Sequence, residues 1–299
     1  MLDKELPILR KTVQSFVKEH VGTAEFSQGI YAKDLPKEVA AFLKEKAKTI
    51  GFKSLGARKE WGGAGLSLYA RTVIYEEAAQ HRLGLYHPAA DAFGEELPSF
   101  LETCTREQIN TFVKPAIQEG KGCFIAVWED LEGDRIKNIT CTAVKNGDEW
   151  VINGEKSYIQ KMDQAGFGVI LVNCITEEGN KKPGLFLLNP DDPFEKNETV
   201  LIDVQKTHSI SLNQFVIHDN RRIGEVGEGL ILVKQWLAES QILLGARCLG
   251  VSAKAVEYAK SYAKLRITRG KPLSEFPTIR SMIANFLRKR KAIEEFSKL

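Results

Sequence analysis

The 299-residue sequence predicts an α+β fold in three segregated blocks: an N-terminal all-α domain over residues 1–121, a middle antiparallel β-barrel or sandwich over 122–226, and a C-terminal helical segment over 227–299. Three observations predict it. Up to about residue 120, apolar residues recur at helical spacing between short turns. From Gly122, short β-rich apolar runs replace them, and after Gly227 one long helical pattern begins. Elements that segregate in this way, rather than alternating strand with helix, point away from a doubly wound parallel sheet.

In the first block, Pro7-Ile8-Leu9 opens a helix, and Pro36 sits where a second begins, because its fixed φ suits a first turn. Trp61-Gly62-Gly63-Ala64-Gly65-Leu66 is a glycine-rich turn, and Arg71 to His81 is helical again. Thr105 with Gln108 three residues on forms a capping box.

In the second block, residues 123–128, 167–172, 184–188 and 214–217 read as strands. Glu149-Trp150-Val151-Ile152 leads into Asn153-Gly154, a dipeptide that tolerates positive φ and so predicts a hairpin turn there. In the third block, Leu230, Leu237, Leu244, Val251, Tyr258 and Leu265 repeat every seven residues and predict one buried stripe. Gly270 and Pro272 then break the chain, and Phe276, Ile279, Ile283, Phe286 and Ile293 mark a second amphipathic helix.

Charged residues make up 27% and hydrophobic residues 43%, the balance of an ordinary globular protein. No apolar run approaches the ~20 residues that span a bilayer. The mixed charges of the first seven residues are unlike a signal peptide, so a soluble, cytoplasmic protein with no membrane partner is expected. The five cysteines have no metal-ligand spacing and read as reduced apolar residues; the five histidines show none either, so no metal is expected. Net charge is +3, but residues 254–299 hold twelve Lys/Arg against four Asp/Glu. That excess fits either a solvated helix face or a surface for phosphate, coenzyme or nucleic acid.

Several landmarks together resemble the acyl-CoA dehydrogenase family. Glu60-Trp61-Gly62-Gly63-Ala64-Gly65-Leu66 is similar to the family's Pro-Glu-Glu-Tyr-Gly-Gly-x-Gly-Leu, and Glu76-Glu77 to its Glu-Glu-Leu. Ala126 to Gly133 resembles Ala-Leu-Thr-Glu-Pro-x-Ala-Gly, and Asn153 to Ile159 resembles Asn-Gly-x-Lys-x-Trp-Ile. Gly224-Glu225-Val226-Gly227-Glu228-Gly229 matches Leu-Gly-x-x-Gly-x-Gly; by itself this cluster reads as a turn entering the long helix, since Glu225 and Glu228 would repel a phosphate. Arg266 followed by Gly270-Lys271-Pro272 resembles Arg-x-x-Phe-Gly-Lys-Pro, with Arg269 in the place of the Phe.

The resemblance implies FAD, an acyl-CoA or acyl-carrier-protein thioester as substrate, and an electron-transfer flavoprotein as electron acceptor. It implies a flavin site at Trp128, Glu129, Gly133, Asp134, Tyr158 and Gln160. Trp128 and Gln160 stand where the family has threonines, and Tyr158 where it has the tryptophan that packs on the ring. Family Gly-Ser-Asp is here Gly133-Asp134-Arg135. The reaction requires a carboxylate base. In an isovaleryl- and long-chain-like minority that Glu lies on the long helix, at a position counting to Ser240-Gln241 here, with Glu239 one residue away. Glu239 is therefore the candidate base or an ordinary helix carboxylate, since one residue rotates a helical side chain by about 100°. Arg266 implies a reach to the pyrophosphate of a neighbouring subunit's FAD, or else a helix-terminal cation favoured by the dipole. The family's helical domain also continues beyond two helices, which implies a truncated bundle completed in a homo- or hetero-oligomer. Two other readings stay open: a non-catalytic subunit paired with a complete dehydrogenase, and a nucleic-acid-binding member resting on the basic residues 254–299.

Overall fold

The computed structural model describes residues 2–29, 35–84, 89–129, 136, 138–200 and 206–296. The helical, strand, helical order of the chain is observed. Two compact units emerge, one formed by Met1–Phe52, Leu66–Phe93 and Glu239–Leu299, the other by Lys53–Gly65 and Gly94–Ala238.

The first unit contains α1 (Leu2–Phe16), α2 (Gly22–Ser27), α3 (Lys37–Thr49) and α4 (Leu68–Ala78). A π-helical turn, Val17–Val21, joins α1 to α2, and Pro7 lies inside α1 rather than at its start. Pro36 is the N-cap of α3, one position before the expected one, and Ser67 caps α4 by accepting from the Ala70 N–H. The core of this unit is built on Val13, Phe16, Ala70, Ile74 and Phe93; Phe16 and Phe52 each meet Phe93 edge-on, at 5.3 and 4.8 Å.

The second unit holds α5 (Arg106–Gln108) and α6 (Lys114–Glu119), then strands β1 (Gly122–Ala126), β2 (Thr142–Asn146), β3 (Glu149–Gln160), β4 (Ala165–Ile175), β5 (Lys181–Leu188), β6 (Glu195–Val200), β7 (Lys206–His218) and β8 (Arg222–Ile223). The expected capping box is present: Thr105 accepts from the Gln108 N–H at 3.2 Å while Gln108 accepts from the Thr105 N–H at 2.9 Å. The same Gln108 amide donates to the carbonyls of Asn220 and Arg222, at 2.7 and 2.8 Å.

Within the expected middle β domain, read from the sequence as an antiparallel barrel or sandwich, the sheet differs in strand direction and closure. Its order is β6-β7-β3-β2-β4-β5-β8, and β1 and β2 both run parallel to β4, placed end to end along one of its edges. The sheet is therefore mixed, and among the described residues β6 and β8 do not pair, so no barrel closes. β1 pairs with Ala165–Ile170 and β2 with Asn173–Ile175, in the same direction as β4, so the two strands share one partner in turn rather than forming a hairpin with each other. The hairpin also falls elsewhere. β2 pairs with β3 from Thr142↔Asn153 to Asn146↔Glu149, so the turn is Gly147-Asp148. Gly154 lies inside β3 at φ 138°, where a Cβ would stand 2.7 Å from the Cys141 Cα; Asn153 accepts from the Gln214 N–H. This glycine serves a close approach at a bulge.

After turns at Gly224 and Gly227, α7 (Gly229–Leu265) begins, as the glycine cluster indicated. The seven-residue stripe is not buried: Leu244, Tyr258 and Leu265 are exposed, and the buried apolar side chains are Leu232, Val233, Leu243, Ala246, Leu249, Val256 and Ala263. A straight helix drifts by ~20° per heptad, so a strict seven-residue pattern leaves the core face within a few turns. Gly270 and Pro272 do not simply break the chain. Ile267–Thr268 (β9) and Lys271–Pro272 (β10) form a hairpin around Arg269 and Gly270, with φ of 48° and 77° as a type I′ turn requires. The final helix, α8 (Pro277–Phe296), keeps Ile279 and Ile283 half-buried.

Candidate active site

The end-to-end placement of β1 and β2 leaves an interruption in the sheet, and Trp128 and Glu129 sit in it. The Trp128 carbonyl accepts from the Ser157 N–H at 2.8 Å, tying the end of β1 to the far part of β3. Here the β3–β7 register shifts between Lys156 and Ile159, and Tyr158 takes φ 57°. Trp128 is half-buried against the core, whereas Tyr158 and Gln160 are exposed. The structure thus brings Trp128 and Glu129 to the strand that carries Tyr158 and Gln160. Gly133 and Asp134 lie outside the described residues.

Beneath them lies a buried ion pair. Lys156 Nζ is 2.7 Å from Glu129 Oε1 and also donates to the Val127 carbonyl at 3.2 Å; the lysine side chain is wholly inaccessible. Glu129 further accepts from the Thr140 N–H and hydroxyl and from the Cys141 N–H. Burial works against the Glu129 carboxylate, but the Lys156 and Thr140 hydrogen bonds outweigh it and hold the carboxyl below the usual range, so it is ionised at neutral pH. Its acceptor sites are taken by the protein itself. Burial likewise pushes the Cys141 thiol up to about 11 and Cys174 to about 12, leaving both neutral.

Glu239 and Arg266 belong to the other unit. Glu239, on α7, lies 3.7 Å from the guanidinium of Arg71, a buried residue of α4. Arg266 follows the last turn of α7 with its side chain exposed and, among the described residues, in no ion pair; its backbone donates to the Tyr262 carbonyl and accepts from the Leu273 N–H. Twenty-seven residues of helix separate the two, about 40 Å along the axis. They cannot meet one small ligand within one chain.

Sequence reasoning passed over Lys156, Arg71 and the acid–base pairs of the helical unit. Glu76 pairs with Arg290 at 3.1 Å and Glu77 with Arg10 at 2.8 Å. His81 Nδ1 donates to Glu25 at 2.7 Å while its Nε2 accepts from the Ala89 N–H, which fixes a neutral tautomer. Each partner lies far away in sequence, so no local spacing announces it. The one available signal was a charge inside an apolar run, which must be paired when buried.

Comparisons with known proteins match this construction. The model of the acyl-CoA dehydrogenase N-terminal domain matches residues 3–119, and that of the C-terminal domain matches residues 227–296. The chain is 28% identical over 262 residues to (R)-benzylsuccinyl-CoA dehydrogenase of Thauera aromatica, covering 84% of this chain and 63% of that protein. It is 25% identical over 293 residues to the caffeyl-CoA reductase-Etf complex subunit CarC of Acetobacterium woodii, covering 95% and 75%. Its fold superposes on butyryl-CoA dehydrogenase of Megasphaera elsdenii with a TM-score of 0.80 at 20% identity, over 98% of this chain and 77% of that one. The chain belongs to the acyl-CoA dehydrogenase family. It spans just under two thirds of the length of the first of these relatives. Among the described residues, no helix is long and apolar enough to cross a membrane.

Proposed function

We propose that this chain is an FAD-dependent acyl-CoA dehydrogenase that removes hydrogens from the α and β carbons of an acyl thioester in the cytoplasm. The observation that supports the flavin is the donor set at the sheet interruption. Among the described residues, the Trp128 indole N–H, the Ser157 hydroxyl and the Gln160 amide have no side-chain hydrogen-bond partner, and all stand where β1 meets β3. The isoalloxazine edge presents carbonyl oxygens and ring nitrogens as acceptors, so these donors fit it. Tyr158, held exposed by the bulge, offers a ring to stack. FAD would supply the hydride acceptor.

The chain's own part is to bind, orient and move a proton. Lys156 neutralises Glu129, so no uncompensated carboxylate faces the flavin position. Glu239 is the candidate base for the α proton, with Arg71 fixing its rotamer. Arg266, exposed and permanently charged, is suited to a pyrophosphate on a neighbouring subunit. An electron-transfer flavoprotein would take the electrons, in keeping with the Etf complex named for the Acetobacterium relative.

The test is the visible absorption spectrum of the purified protein, before and after adding FAD. A flavin band near one per chain, bleached by an acyl-CoA, supports the reading; a colourless protein that refuses FAD overturns it. That second result would favour a non-catalytic subunit of a heteromeric dehydrogenase, a reading supported by the indole at Trp128 in place of a small hydroxyl. A nucleic-acid role is less favoured, because within the basic run Arg290 is engaged by Glu76 and Arg288 by Asn285.

A further inference from the structure

Beside the Tyr158–Gln160 end of β3, where His208 pairs with Ile159, three side chains from separate elements converge with no part in the chemistry above. Glu198 on β6 and His208 on β7 are direct cross-strand partners, so both project from one face of the pair. Asp163 comes from the short 3₁₀ turn Met162–Gln164 that connects β3 to β4. One ligand atom from each lies within 4.8 Å of the other two, and His208 Nε2 is 3.3 Å from Asp163 Oδ1.

The histidine makes this more than a cluster of acids. Its side chain is only 7% exposed, and its Nδ1 has no hydrogen-bond partner among the described residues. A buried imidazole normally uses both nitrogens. Here Nε2 faces the Asp163 carboxylate while Nδ1 has no partner among the described residues, so the ring's polar contact is the one on the carboxylate side. Two carboxylates beside one imidazole also carry more negative charge than the histidine alone can answer. Among the described residues Lys206 pairs with Glu198 at 2.9 Å, through an exposed side chain. Such a surface pair is worth little, so another cation displaces it cheaply.

We propose that Asp163, Glu198 and His208 form a divalent transition-metal site of the Zn²⁺ class, with water completing the coordination. One nitrogen and two oxygen donors suit Zn²⁺ better than Mg²⁺ or Ca²⁺, which favour all-oxygen shells. The ion would clip the β3–β4 turn to the β6–β7 edge. Because the three ligands converge only in the folded chain, the metal would stabilise the fold by mass action.

The test is a thermal-unfolding and calorimetric titration of the full chain with ZnCl₂, repeated with MgCl₂, on the parent and three surface variants. The expected result is one Zn²⁺ per chain, with a Tm that climbs as the logarithm of metal concentration. Asp163→Asn and Glu198→Gln, both at exposed positions, should each weaken binding at least tenfold. Lys206→Met should tighten it by removing the competing ammonium, an outcome that general surface binding would not give. Titration with Co²⁺ should produce visible ligand-field bands that Asp163→Asn abolishes. No binding at millimolar Zn²⁺, binding indifferent to all three substitutions, or an equal response to Mg²⁺ would each overturn the assignment. None of these readouts depends on flavin or on catalysis.

Discussion

Lys156 Nζ lies 2.7 Å from the Glu129 carboxylate, and the pair joins β3 to the segment that follows β1 where the sheet is interrupted. Removing either partner strands a charge in the interior. Lys156→Met or Glu129→Gln should therefore destabilise the protein by about 3–5 kcal/mol, and the double substitution should recover much of that loss. Urea unfolding of the three variants checks this; single substitutions costing under ~1 kcal/mol would refute it.

Acid should erode the fold in a predictable window. Glu25, Glu129 and Asp219 all have folded pKa values below their ordinary ones. In each case burial opposes the shift, and hydrogen bonds from His81, from Lys156 and Thr140, and from Arg222 and Trp150 outweigh it. A lowered carboxylate binds fewer protons folded than unfolded, so its contribution is full above about pH 4–5 and drains away as pH falls through the folded value. Unfolding free energy measured between pH 7 and 3 should fall, and Glu25→Gln should flatten part of that slope.

Two glycines five residues apart on α7 should respond in opposite directions. At Gly250 an added Cβ would stand 2.0 Å from the Glu76 carbonyl oxygen of α4, whereas at Gly245 it meets nothing within 4 Å. Gly250→Ala should cost about 1–3 kcal/mol or more, since backbone must move to admit the methyl. Gly245→Ala should gain about 0.5–1 kcal/mol from helix propensity. Paired thermal melts suffice, and a stabilising Gly250→Ala would contradict the close packing.

The two α7-linked charges should separate functionally. Glu239→Gln should abolish acyl-CoA-dependent flavin bleaching while flavin content stays normal. Arg266→Gln should instead lower flavin retention. If Arg266 merely complements the helix dipole, only stability changes, by about 0.3–1 kcal/mol, and flavin content stays as in the parent.

The capping box at Thr105 and Gln108 was legible because all its atoms lie within four residues. The hairpin was not, although the chain offers Asn-Gly twice, at 146–147 and 153–154. Both dipeptides tolerate positive φ; the choice between them is made by Cys141, whose backbone packs where Gly154 has no side chain. The block order survived because periodicity reports burial over many residues. The parallel pairing of β1 and β2 with β4 joins residues 43 and 31 positions apart, as in Gly122↔Ala165 and Thr142↔Asn173, a choice of partner that no strand pattern encodes. At the site, the motif positions were readable, whereas the Lys156–Glu129 and Arg71–Glu239 pairs join residues 27 and 168 positions apart.

The three hydrogen bonds of the Gln108 side chain set a schedule as well as a shape. One is available as soon as Thr105 and Gln108 have been made, but the other two need the carbonyls of Asn220 and Arg222. At a synthesis rate of about 5–20 residues per second, those carbonyls reach the same point on the ribosome roughly 6–23 s later. Through that interval the amide's two N–H groups stay with water. On a growing chain the capping box at the start of α5 thus closes first, and its tie to the end of the sheet follows only once β8 has emerged.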